Sequence, residues 1–366
     1  MTSSNKSKKA RRRKGGHALK AVDFFCGGGG MSLGISNAGI RIIAGIDFEE
    51  SCRRTYVRNH PYSNFILGDI TRFPSKKLMD ECSVEKNDDH MIFIGCSPCQ
   101  YWTHLHTYRD GSRQGKDLMR DFHRFVRYYR PGFVVVENVP SIVRSEKYEK
   151  FRKWLLINGY EMSASVINAN QYGVPQKRRR FILIASRVSG APLLRKSTSE
   201  RLTVRDFIGE GNGFPQIAAG TVDNSDFMHT AASLGDKCLR RLKMTPKNGG
   251  LRLAWDKIPD LQINTYRNRD TRFGFKDVYG RMAWDTPAPT ITTRFNSISN
   301  GRFGHPEENR AISLREGATL QTFPKKYVFL TRSQSEAAKM IGNAVPPALA
   351  RRIGNAIVRS ARDVGL

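Results

Sequence analysis

The chain has 366 residues, enough for about two domains with an ample core, and its 61 Lys and Arg against 33 Asp and Glu give a net charge of +28. That excess argues against an enzyme of small molecules alone and for a polyanionic partner, with nucleic acid first. The six cysteines are irregularly spaced, no apolar run approaches the roughly 20 residues of a membrane span, and the basic start lacks the apolar core of a secretory leader, so a soluble protein without a membrane partner, in a reducing compartment, is expected.

Residues 1–18 read as a disordered basic tail. Lys6, Lys8, Lys9, Arg11, Arg12, Arg13, Lys14 and Lys20 leave about +20 on the rest of the chain, so the folded part is itself basic. The tail suits a nuclear address or a nonspecific DNA arm equally well.

Seven apolar, β-branched or aromatic runs follow: Ala21 to Phe25, Arg41 to Ile46, Asn64 to Leu67, Met91 to Ile94, Phe133 to Val136, Glu161 to Ile167 and Phe181 to Ala185. The stretches between the first five hold helices, for example Glu50 to Asn59 and Leu118 to Tyr129. This alternation predicts a doubly wound α/β sheet, in which ligands bind beyond the carboxyl ends of the strands.

The residues at those ends carry chemistry. The first run leads into Gly27-Gly28-Gly29-Gly30, where backbone can approach a ligand at a helix start. The spacing is not the dinucleotide G-x-G-x-x-G, because Ser32 and Leu33 stand where a glycine would. Asp47 ends the second run about 20 residues later, placed to accept hydrogen bonds from a ribose or simply to cap a helix. A nucleoside cofactor other than NAD fits this pair. Asp69 follows the third run, and the fifth ends in Glu137-Asn138.

The fourth run spills into Gly95-Cys96-Ser97-Pro98-Cys99-Gln100. Pro98 fixes one backbone angle and removes an amide donor, which stops the strand and presents Cys99 outward. On its own Cys99 could be a small buried hydrophobe. Cys96 and Cys99 form a C-x-x-C with His104 and His106 nearby, but one short loop leaves no second element to close a zinc site. A redox pair would sit at a helix start instead. Tyr101 to Lys116, polar and containing Gly111 and Gly115, is a candidate lid.

Taken together these stretches resemble the DNA (cytosine-5) methyltransferase family. Asp23 to Gly30 matches its first motif, Gly95 to Gln100 its Pro-Cys-Gln motif and Glu137-Asn138-Val139 its Glu-Asn-Val motif; Gln176-Lys177-Arg178-Arg179-Arg180 matches its Gln-x-Arg-x-Arg motif. Arg315-Glu316 with Gln321-Thr322-Phe323-Pro324, and Ile341 to Pro346, complete the set in the family's order. Asp47 stands where the family usually has Glu, Ser97 where proline is common, and Arg179 where Glu is frequent. Tyr101-Trp102-Thr103 replaces a small-aromatic-serine run.

The resemblance implies a Rossmann-like S-adenosylmethionine-dependent sheet of about seven strands with helices on both faces, and a smaller, irregular target-recognition domain. It divides the chain into the tail 1–18, a catalytic and cofactor-binding part 19–188, a recognition part 189–332 and a segment 333–366 that closes the large domain. By the same resemblance Cys99 is the nucleophile at carbon 6 of a flipped-out cytosine, Glu137 binds N3 and N4, Arg180 faces O2, and Arg178 steers Cys99. Phe25 and Phe48 sandwich the adenine, Asp47 takes the ribose, and Asp69 with Ile70 the adenine edge. Gly27, Gly29, Gly30, Pro98, Asn343 and Val345 line the rest of the cofactor site, S-adenosylhomocysteine is the product, and no metal is required.

The implied partner is double-stranded DNA, with basic clusters such as Arg240-Arg241-Lys243 and Arg267 to Arg272 suited to phosphates. The expected protein is a monomer of a bacterial or phage cytoplasm, or of a nucleus in a eukaryote, functionally paired with a restriction endonuclease or acting alone. A tRNA-methylating enzyme and a catalytically silent DNA-binding relative are the alternatives. A silent relative would be expected to lack Cys99, Glu137, Arg178 or Arg180, and all four are present.

Overall fold

The computed structural model describes residues 18–97, 118–197, 202–263 and 277–366. Seven strands, β1 (Lys20–Phe24), β2 (Arg41–Asp47), β3 (Asn64–Leu67), β4 (Met91–Gly95), β5 (Phe133–Asn138), β6 (Glu161–Asn168) and β7 (Arg179–Ser186), form one sheet ordered β3-β2-β1-β4-β5-β7-β6. The first five pair in parallel, and β7 runs antiparallel to both β5 and β6. Each apolar run seen in the sequence is one of these strands.

The helices are α1 (Gly30–Ser36), α2 (Glu50–Asn59), α3 (Lys77–Cys82), α4 (Leu118–Tyr129), α5 (Glu146–Ile157), α6 (Arg205–Ile208), α7 (Asp236–Met244), α8 (Leu314–Leu320), α9 (Gln334–Asn343) and α10 (Pro347–Asp363). Alternate side chains of each strand face opposite sides, so each sheet face gathers its own core. Val22, Phe24, Phe93, Val134 and Val136 pack with Phe122 and Phe125 of α4 and Phe151 of α5. On the other face Ala21, Ile92, Ile94 and Val135 meet Ile35 of α1 and Leu349, Ile353 and Ile357 of α10. The last helix therefore lies against the first.

Local sequence explains the helix ends near the site. Gly29 caps α1 with φ +84°, a left-handed conformation that glycine adopts without strain. Ser313 and Glu316 form a reciprocal capping box at the start of α8, and Pro347 opens α10 where no amide donor is needed.

Beyond β7 a third core joins Ile208, Trp284, Ile291, Phe295 and α8 to Ala337 and Ile341 of α9, with Cys52 of α2 among them. A smaller core around Leu242, Trp255, Leu261 and Tyr279 holds α7 and its surroundings. No helix of the described residues is long and apolar enough to cross a membrane.

Candidate active site

The sheet's strand order reverses beside β1, and a crevice at such a point opens at the carboxyl ends of the strands. A cleft there is lined by Phe24, Phe25, Ile46, Asp47, Phe48, Gly68, Asp69, Ile70 and Leu118. Three aromatic rings and aliphatic walls, with a carboxylate at or just beyond each of two strand ends, suit an adenosine. Phe48 is 58% exposed, a free ring face where a core residue would be covered. Leu118, the first described residue of α4, was not singled out from the sequence. Only the fold brings it beside Ile70.

Asp47 has a structural task within the loop. Its Oδ2 accepts from the Gly27 amide at 2.7 Å and its Oδ1 from the Glu49 amide at 2.9 Å, so it fastens the glycine loop to β2. Each oxygen keeps a second lone pair for a ligand hydroxyl. Burial raises its pKa, and the Glu49 and Gly27 amides oppose that. Asp69 makes an Asx turn, accepting from the Thr71 amide at 2.9 Å and the Thr71 hydroxyl at 2.8 Å.

The glycines divide into two kinds. A methyl group on Gly27 would meet nothing within 4 Å, so this position faces open space. On Gly29 it would lie 2.2 Å from His60 Nε2, and on Gly30 2.6 Å from the Val345 carbonyl. These two need glycine because the protein itself is close. The second contact places Val345, and with it the turn after Asn343 at the end of α9, against the glycine run.

A buried polar network lies beneath this loop. The Ser32 hydroxyl donates to Asp23 Oδ2 at 2.6 Å and lies 3.1 Å from the Tyr56 hydroxyl, which in turn meets Ser63 at 3.0 Å. Asp23 is wholly buried, its Oδ1 has no hydrogen-bond partner, and burial pushes its pKa up to about 7. Tyr327 donates to the Gly28 carbonyl and lies 3.1 Å from His60 Nε2. Burial holds His60 down at about 4, so it is neutral.

On the β4 side the described chain reaches Ser97, and Pro98, Cys99 and the lid candidate Tyr101 to Lys116 lie outside the described residues. Asn138 donates to the Ser97 carbonyl at 3.2 Å and its hydroxyl at 3.1 Å, tying the end of β5 to the threshold of the Cys99 loop. Its neighbour Glu137 is 6% exposed, and Arg180 Nε lies 3.1 Å from Glu137 Oε1. That contact is an ion pair without hydrogen-bond alignment, so Oε1 is left with no hydrogen-bond partner. A buried carboxylate oxygen with charge beside it and no donor is a prepared acceptor.

Gln176 and Arg178, on the approach to β7, and Arg180, within it, divide the labour. Gln176 bonds the Leu320 carbonyl at 3.0 Å and Gln321 at 2.8 Å, and accepts from the Ile291 amide at 3.1 Å. Arg178, 3% exposed, donates to the carbonyls of Ile291 at 3.1 Å and Ala344 at 3.2 Å. Gln321 adds a bond to the Ile341 carbonyl at 2.7 Å. These side chains pin the turn that carries Asn343 and Val345, so the motif joins the two halves of the site.

Arg241 differs from the sequence expectation of a surface phosphate ligand, and Arg281, on which no expectation fell, is turned inward in the same way. Arg241 is buried, donating to the Leu261 carbonyl at 2.8 Å and the Gln262 carbonyl at 2.9 Å. Arg281 likewise donates to the carbonyls of Thr245, His305 and Leu242 at 2.9 to 3.0 Å. In irregular chain with few ladders, guanidinium forks satisfy carbonyls that strands would otherwise pair. Arg267 to Arg272 lie outside the described residues.

His305, Glu308 and Glu316 are the one group among the described residues clustered as metal ligands would be. Arg310 already occupies it, 2.7 and 2.8 Å from the two Glu316 oxygens and 2.9 Å from Glu308. His305 Nδ1 accepts from the Glu308 amide at 3.0 Å, which puts its proton on Nε2. The cluster is a buried ion network.

A sheet of this order, with a cleft at its switch point and an acid and arginine pair at the end of β5, is that of a methyltransferase-type α/β fold. The family model for C-5 cytosine-specific DNA methylase matches residues 19–359. The chain is 37% identical over 348 residues to the type II methylase M.HgiDII of Herpetosiphon aurantiacus, covering 92% of this chain and 94% of that one. It is 31% identical to the type II methyltransferase M1.HphI of Haemophilus parahaemolyticus, over 93% and 87% of the two chains. A prophage-encoded E. coli chain described as a DNA modification methyltransferase superposes with a TM-score of 0.72 at 21% identity, over 94% of this chain and 100% of that one. The protein belongs to the C-5 cytosine-specific DNA methylase family, whose members take their methyl group from S-adenosylmethionine. It is a DNA (cytosine-5) methyltransferase.

Proposed function

We propose that this enzyme methylates one short duplex sequence as a type II modification enzyme, with Cys99 as nucleophile and Glu137 and Arg180 as the groups that hold the activated ring. The observation that supports it best is Glu137 itself: buried, paired in charge with Arg180, and keeping one oxygen without a hydrogen bond at the carboxyl end of β5.

The Cys99 thiolate adds to carbon 6, and the displaced electron pair moves toward N3 and O2. Glu137 shares a proton with N3, and the Arg180 guanidinium faces the charge developing at O2. When bound, S-adenosylmethionine supplies the methyl group that ends on carbon 5. Loss of the carbon 5 proton then restores the ring and expels Cys99. Arg178 acts through the Gly342 to Ala344 turn that it holds.

Phe25 and Phe48 hold the adenine, Asp47 the ribose, and Asp69 with Ile70 the adenine edge. Gly27, Gly29, Gly30, Pro98, Asn343 and Val345 surround the methionine end. The open space over Gly27 and the spare lone pairs of Asp47 fit such a ligand. S-adenosylhomocysteine is the product, and the steps call on no metal. The division 1–18, 19–188, 189–332 and 333–366 fits the separate core around α7 and the packing of α10 on the sheet. The charge of +28 supports duplex DNA as a bound partner of a monomer in a bacterial or phage-infected cytoplasm, with a restriction endonuclease as functional counterpart.

The test is transfer of tritium from labelled S-adenosylmethionine to mixed-sequence duplex DNA and, separately, to tRNA. Label at cytosine carbon 5 of DNA, confined to one sequence, is expected; label in tRNA alone would overturn the proposal.

A further inference from the structure

We infer that Arg124, which is not itself part of the cleft lining, is a positioning residue that sets the adenine-edge contacts of the cofactor site from behind. The inference rests on the assignment of that cleft to the cofactor.

The loop that carries Asp69 and Ile70 needs an anchor. It leaves β3, an edge strand of four residues with β2 as its single neighbour, so the sheet gives it little support. The Gly68 amide ties its start to the Asp47 carbonyl at 2.9 Å, and beyond that its own bonds are local, from Thr71 to the Asp69 carboxylate and from the Arg72 and Phe73 amides to the Asp69 carbonyl. Arg124 of α4 supplies the long-range tie. Its Nη2 donates to the carbonyls of Ile70 at 2.7 Å and Phe73 at 2.9 Å, and its Nη1 to Ser75 Oγ at 2.8 Å. One guanidinium thus fixes three points on six residues of irregular chain, a geometry that its planar fork can meet and an ammonium cannot. One turn further on, the Tyr129 hydroxyl donates to the Ser75 carbonyl at 2.6 Å and accepts from the Met79 amide at 3.1 Å.

The same helix opens with Leu118, which lines the cleft beside Ile70. Arg124 therefore holds two walls of the cleft, Ile70 and Leu118, in one spacing. Loss of the fork frees the Ile70 carbonyl and lets the loop slide along α4, while the ribose site at Asp47 and the Glu137 and Arg180 pair stay as they are.

The test is calorimetric binding of S-adenosylhomocysteine and of S-inosylhomocysteine, in which a carbonyl oxygen replaces the adenine amine, to the full chain. The wild type is expected to prefer the adenosyl ligand by about tenfold or more, the worth of one buried hydrogen bond. Arg124→Ala should weaken the adenosyl ligand about tenfold and the inosyl ligand less than about twofold, so that the preference collapses. Arg124→Lys should recover part of it, and the KM for the cofactor should rise while kcat and the KM for DNA hold. Equal losses for both ligands would overturn the proposal, since a residue that merely holds the fold together would weaken both alike. A wild type that binds both ligands equally would overturn the adenine-edge assignment itself, and the proposal with it. Urea midpoints of the variants separate either result from unfolding.

Discussion

Replacing Asp23 by Asn should make the protein less sensitive to alkali. Asp23 is fully buried on the α1 face of β1, with Ser32 its one hydrogen-bond partner and Oδ1 unpaired, and burial, aided by the charge of Asp47, moves its pKa from 3.8 to about 7. The unfolded chain releases that proton near pH 4 and the folded chain near pH 7, so the folded state loses stability as pH rises through that window and has lost all of it above. Between pH 5 and pH 8 the difference amounts to about two pH units of unmatched titration, or ~3 kcal/mol. Asparagine fills the same space, keeps a bond to Ser32 in either amide orientation, and does not titrate. Urea midpoints of both proteins at pH 5 and pH 8 give a double difference in which the groups that do not interact with Asp23 cancel. The variant should gain on the wild type by ~3 kcal/mol from the lower pH to the higher. Parallel pH profiles would refute the claim that a buried, half-satisfied carboxylate sits under the glycine loop.

Glu316 should show the opposite dependence. Burial alone would raise its pKa, but the hydrogen bonds and charge of Arg310, with His305 beside it, bring it down to about 2. Its contribution is full above pH 4.5 and is lost as pH falls toward 2, and Glu316→Gln should cost ~3–5 kcal/mol in thermal or urea unfolding at pH 7 because Arg310 is left buried with too little counter-charge. Cys99→Ser should abolish methyl transfer while gel-shift affinity for DNA survives; normal turnover by that variant would sink the assignment of the nucleophile. Removing residues 1–13 should weaken DNA binding most at low salt and flatten the plot of log affinity against log salt, and an unchanged slope would exclude the tail as a DNA arm.

Much of the fold was legible because each strand is a compact apolar run ended by a residue of another character. Strand order was not. That β7 inserts between β5 and β6 and reverses direction depends on pairings across the sheet, which no local run encodes. The site was readable for a related reason: Asp47, Asp69 and Glu137 all stand at strand ends. Leu118 escaped because its role depends on where α4 begins in space, and Arg124 because a mid-helix arginine reads as surface. Arg241 misled for the reason that makes it useful. Composition counts charge, and only the folded chain shows which charges are turned inward on carbonyls.

The packing of α10 over α1 sets an order of events at the ribosome. Gly34 of α1 touches Ala350 and the Pro347 carbonyl so closely that no side chain fits, yet those partners are made about 300 residues later, some 15 to 60 seconds at ordinary rates of elongation. Until then that face of the sheet has only part of its cover, from α1 and the chain around Tyr172, and the turn that backs Gly30 does not exist. The nascent chain thus carries apolar surface that its own last helix is needed to cover, and the Val345 turn backs the glycine run only once that end of the chain has been made.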